Sequence, residues 1–84
     1  MKIETSLDWK NISNKLHTQL NNLPYNSDLH KMLKNIDKMV DDLSKLEVTA
    51  RRIRNTSYLS DKISDINKSI NHLEKLIVVA NLMR

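Results

Sequence analysis

Two runs of apolar residues leave this chain few ways to fold. The first is Leu29, Met32, Ile36, Met39, Leu43, Leu46, Ala50 and Ile53. The second is Leu59, Ile63, Ile66, Ile70, Leu73, Ile77 and Ala80. Each keeps an alternating three-four spacing. That mean of 3.5 residues marks the seam of one helix packed along another. Leu33 and Val40 flank the first seam at e positions, which widens its apolar face and suggests two helical neighbours rather than one.

Composition agrees with long helices and few turns. The 84 residues include no glycine, no cysteine and one proline. Turns that need positive φ normally recruit glycine, so hairpin-rich β structure is disfavoured. Without cysteine there is neither a disulfide nor a thiolate nucleophile. A domain of this size buries only about 60% of its unfolded surface, and self-association is a common route to extra stability.

Before the seams, Thr5-Ser6-Leu7-Asp8 has capping-box spacing and predicts a helix start. Trp9, Ile12, Leu16, Leu20 and Leu23 then make one stripe, and Pro24 ends it. Tyr25-Asn26-Ser27-Asp28 offers N-caps for a second helix. Between Ile53 and Leu59 the register jumps by six residues, over Asn55-Thr56-Ser57. A turn at Asn55 to Tyr58 with an antiparallel return is expected; one long helix is the alternative. The expected fold is all-α, a single helical domain with helices near 6–23, 28–54 and 57–82. It is a long antiparallel hairpin with a short N-terminal helix, closing as a three-helix bundle or as a coiled-coil-like dimer of hairpins.

Candidates for chemistry are few. His17, His30 and His72 lie one per helix without a second ligand at helical spacing, so no metal site is expected. Trp9 is expected in the core. Asp37, Asp41 and Asp42 share a helix with Lys34, Lys38 and Lys45, an arrangement that reads as a solvated ion-pair ladder. A glycine-free chain builds no phosphate-cradling loop, and no serine has a nucleophile-elbow setting. No enzyme, cofactor or small-molecule substrate is expected.

The basic residues carry more. Lys31, Lys38, Lys45 and Arg52 recur every seven residues. Arg51, Arg52 and Arg54 gather within one turn, with Glu47 the nearest acid and Tyr58 following. Cations suit a helix C-terminus, but guanidinium forks with a neighbouring aromatic also suit phosphates and bases. These four residues are the candidate site for a partner protein or a nucleic acid. The end of the third helix, Leu76-Ile77-Val78-Val79-Ala80, is apolar nearly all round. Either the first helix covers it or a second copy does. Leu73, Leu76, Ile77, Val79, Ala80 and Leu82 are the candidate oligomer interface.

The N-terminus lacks a signal-peptide apolar run, and no stretch reaches the ~18 apolar residues of a membrane span. A cytoplasmic, membrane-free setting is expected. The leading reading is a non-enzymatic, self-associating helical protein that binds and modulates another macromolecule. The excess of Asn, Ile and Lys suits a phage or mobile-element accessory protein. A small basic RNA- or DNA-binding protein is the alternative.

Overall fold

The structure, a computed structural model, describes residues 1–53 and 57–83. Among them there are three α-helices and no strand: α1 over Trp9–Asn21, α2 over Ser27–Ile53 and α3 over Ser57–Leu82. The fold is all-α, a short helix laid on a long helical hairpin. Of the expected turn, Asn55 and Thr56 lie outside the described residues.

The start of the chain follows its capping chemistry. Thr5 is an N-cap in extended conformation, and its hydroxyl accepts from the Leu7 amide. The Asp8 carboxylate reaches back to the amides of Glu4 and Thr5, at 2.8 and 3.2 Å. The capping box is therefore present with Asp in the place usually held by Glu. It opens a 3₁₀ turn, Ser6–Asp8, which passes directly into α1.

α1 ends at Asn21, two residues before the expected stop. The Leu23 amide bonds to the Leu20 carbonyl at 3.1 Å, closing a tight last turn before Pro24. Asn26 then caps α2, its side-chain oxygen accepting from the amides of Asp28 and Leu29.

α2 and α3 run antiparallel. Met39 lies beside Ser69, and Met32 and Met39 share one groove with Lys68 and His72. Toward the turn, Ala50 lies across from Leu59 and Ile63. A continuous helix from Ser27 to Leu82 would be roughly 84 Å long at 1.5 Å per residue. The longest dimension of the bundle is 49 Å.

α1 packs on both long helices. Its stripe of Trp9, Ile12, Leu16 and Leu20 is buried, as is Leu23 after it. Opposite lie Leu29, Leu33, Ile36, Val40 and Leu43 of α2, with Ile66, Ile70, Leu73 and Ile77 of α3. Leu33 and Val40 are more deeply buried than the seam residues Met32 and Met39. The e positions thus mark the second neighbour of α2. Burying a side chain of this size contributes roughly 1.5–3 kcal/mol.

Before the 3₁₀ turn, the chain runs along α3. Ile3 is buried in the core. Asn67 holds its backbone at two points: the side-chain oxygen accepts from the Ile3 amide at 2.7 Å, and the side-chain nitrogen donates to the Ile3 carbonyl at 3.0 Å. One asparagine thereby satisfies both backbone groups of a buried residue that belongs to no helix.

Candidate interaction surfaces

The two ends of the hairpin carry the candidate residues. At the turn end, Arg51 and Arg52 close the last described turn of α2, and both are exposed. Neither makes an ion pair among the described residues. The acid nearest them in sequence, Glu47, is otherwise engaged, accepting from the Ser6 amide at 3.0 Å and from the Ser6 hydroxyl. Arg54 lies outside the described residues. Tyr58 is half-buried, and its hydroxyl is buried without a hydrogen-bond partner among the described residues. That hydroxyl points into the protein rather than into solvent.

Beside Arg51 is a groove of about 500 Å³. It is lined by Ser44, Glu47, Val48, Ala50 and Arg51 of α2, by Leu59 and Ile63 of α3 and by the turn from Glu4 to Leu7. Leu7 is 86% exposed and Val48 53%. Leu7 is held outward firmly, because its neighbours on both sides are bonded: Thr5 and Asp8 by the capping box, Ser6 by Glu47.

At the other end, the candidate interface residues divide. Leu73 and Ile77 are buried within one chain, among α1 and α2. Leu76 and Ala80 are half-buried against the same core. Val79 and Leu82 face outward, together with Val78 of the same apolar run and Met83, which sequence reasoning did not single out. α1 therefore covers the inner part of the apolar end of α3, and the uncovered part is a smaller tip. Val78, Val79, Leu82 and Met83 are spaced one, three and four residues apart, on adjoining positions of one helical face.

Other candidates resolve into structure. Trp9 is buried, and its indole nitrogen donates to Asp37 at 2.6 Å. Asp37 is thereby a hydrogen-bond partner of the core and not a member of the expected ion-pair ladder. Asp41 and Lys45 do form a pair, exposed and 3.4 Å apart. The His30 ring stacks on Tyr25 with centroids 4.9 Å apart. Among the described residues no three His, Cys, Asp or Glu side chains converge as a metal cage. No helix among them is long and apolar enough to cross a membrane. The Asp8 carboxyl is held below its ordinary pKa, first by the Glu4 amide and then by that of Thr5.

The missed residues had faint signals. Val48 is an apolar residue off its seam, and Leu7 sits inside a capping box, where exposure is usual. No family model matches this chain, and no curated protein or solved structure shows significant similarity to it.

Proposed function

We propose that this protein is a self-associating helical interaction module that binds and modulates another macromolecule. The supporting observation is the outward apolar surface at both ends of an otherwise well-packed rod. Leu7 and Val48 stand at one end and Val78, Val79, Leu82 and Met83 at the other. Scattered exposed apolar residues are ordinary, but clusters of them are the usual mark of an interface. A cytoplasmic setting belongs to the same proposal.

Light scattering over a concentration series tests self-association directly. The expected outcome is a mass above that of one chain at micromolar concentration. A single-chain mass throughout the series overturns that part of the reading.

Nucleic-acid binding is the second reading, and Arg51 and Arg52, exposed and without an ion pair among the described residues, favour it. Tyr58 gives it less support than sequence alone suggested, because half of that side chain is covered. The reading requires that Arg51→Glu with Arg52→Glu abolish RNA or DNA binding while helical content is kept. Affinity should also fall steeply with salt, through release of condensed counterions. Binding unaffected by both tests removes the second reading.

A further inference from the structure

We infer that the face of the hairpin turned away from α1 docks an acidic amphipathic helix of a partner protein. The inference rests on the interaction-module reading and adds the surface and the chemistry of its partner.

The surface follows from the α2 seam. Met32 and Met39 directly precede Leu33 and Val40, and successive residues of a helix are about 100° apart. Leu33 and Val40 are buried in the core shared with α1, whereas Met32 and Met39 are only half-buried. The two methionines line a groove of about 300 Å³ with Ile36, Ser69 and His72, and no residue of α1 lines it. Along α3 the same face continues. Leu76, Val79 and Met83 lie four, seven and eleven residues beyond His72, spacings that keep side chains on one side of a helix. Leu76 is half-buried, while Val79 and Met83 are 49% and 81% exposed. A helix laid along this apolar strip would complete a four-helix bundle.

Charge names the partner. Asn35 and His72 both line the groove. Lys31 and Lys38 lie four before and three after Asn35, and Lys68 and Lys75 lie four before and three after His72. Such neighbours share a helix face. These four lysines are exposed and make no ion pair among the described residues. The acids of the same stretches, 31–39 and 68–79, are Asp37 and Glu74, and both are engaged away from the groove. Asp37 accepts from the Trp9 indole, and Glu74 pairs with the Met1 amino group at 3.1 Å. The exposed Asp28, Asp42 and Asp65 stand only toward the two ends of the face.

The middle of the face is thus apolar with cationic borders. A helix whose apolar stripe is flanked by carboxylates complements both parts. A nucleic acid would meet the same lysines but would leave the apolar strip between them unmatched. The methionines suit a helical occupant, because an unbranched thioether side chain adapts its shape to what it meets. Met39 already does so within the chain, where its sulfur lies 3.9 Å from the Ser69 hydroxyl.

Methionine-methyl NMR of the full chain tests the inference with two synthetic helical peptides. Both carry leucine at three-four spacing; one has glutamate at the flanking positions and the other has lysine. Met32, Met39 and Met83 belong to the face, whereas Met1 sits beside Glu74 and serves as a control. The acidic peptide should shift the first three methyls and leave Met1 in place. It should bind about tenfold more tightly than the basic peptide, as a few exposed charge pairs allow. Lys31→Glu with Lys68→Glu replaces exposed side chains, so it should keep the helical circular dichroism of the parent while reversing that preference. Equal affinity for the two peptides, or no shift at Met32 and Met39, overturns the inference. So does a shift of the same methyls when the protein alone is concentrated, which assigns the face to a second copy and leaves self-association standing. Shifts caused by a DNA oligonucleotide but not by the acidic peptide also overturn it, in favour of the nucleic-acid reading.

Discussion

The α2–α3 hairpin is built from one repeating pattern, yet its two halves are packed differently. Away from the turn, α1 lies over the pair. There Leu33, Ile36, Leu43, Ile66, Ile70 and Leu73 are all almost fully buried. Toward the turn, α1 is gone, and the same seam positions Leu46, Leu59 and Ile63 are only half-buried. The seam therefore says that two helices pair, but not how many layers cover them. The e column of α2 says that. It reads Leu33, Val40, Glu47 at intervals of seven. The first two pack against the core, whereas Glu47 accepts hydrogen bonds from Ser6. Where the column changes from apolar to charged, the helical third layer gives way to a polar turn, and a groove is left.

The sharpest way to break this contrast is to make one substitution in both halves. Ile70→Ala removes a side chain with no solvent exposure and should cost about 2–5 kcal/mol. Ile63→Ala, two turns away on the same helix, should cost about 1 kcal/mol, since its site is already open and less transfer energy is lost. Urea unfolding followed by Trp9 fluorescence measures both. Equal losses would mean that the two halves are equally well packed. Native-state hydrogen exchange should agree, with amides of residues 44–50 and 58–63 opening at lower free energy than those under α1.

Much of this contrast was legible in the sequence. The seams, the stripe of α1, the capping box and the hairpin are all written as spacing, and spacing survives without coordinates. What was not legible depends on meetings between distant residues. Ile3 is one apolar residue in a polar segment, and nothing nearby says that Asn67 will hold its backbone. Asp37 looks like its exposed neighbours until Trp9 arrives from another helix. The apolar end of α3 was ambiguous for a related reason. A pattern that is apolar all round demands cover but does not name the source. α1 supplies it for Leu73 and Ile77, which leaves Val78, Val79, Leu82 and Met83 as the open surface. Of the arginine cluster, Arg51 and Arg52 are exposed, as their place at the end of a solvated helix face suggests.

The polar ties that hold the covered half come next in size. Asp37→Ala removes the acceptor of a largely buried indole N–H and should cost about 1–3 kcal/mol, the penalty for an unsatisfied buried donor. Asp42→Ala, an exposed substitution on the same helix, should change stability by less than about 0.5 kcal/mol. Thermal unfolding of the pair separates them. If the two variants behave alike, the Trp9–Asp37 bond contributes nothing. Asn67→Ala should fall in the same range as Asp37→Ala, since it strips both backbone partners from Ile3. Amide exchange at Ile3 should also quicken. An unchanged rate there would show that the N-terminal segment stays seated without the asparagine.

The smallest expected effect lies at the turn half and depends on pH. The Asp8 carboxylate accepts from the amides of Glu4 and Thr5, and those bonds hold its pKa below the ordinary value. A carboxyl with a depressed pKa in the folded state binds protons less readily folded than unfolded. Its contribution to stability is therefore complete above the ordinary carboxylate pKa. It declines as the pH falls below that value and is gone once the pH passes below the lowered one. The group is fully exposed, so solvent screens the effect and it should be slight. Asp8→Asn should lower stability a little at neutral pH and bring the parent and variant curves together in acid. The test is the difference between the two unfolding midpoints, measured from neutral to strongly acidic pH. A difference that stays constant across that range would mean that the ionised carboxylate is not what caps the turn. The fixed display of Leu7 beside the groove would then depend on Thr5 and on the Ser6–Glu47 tie instead.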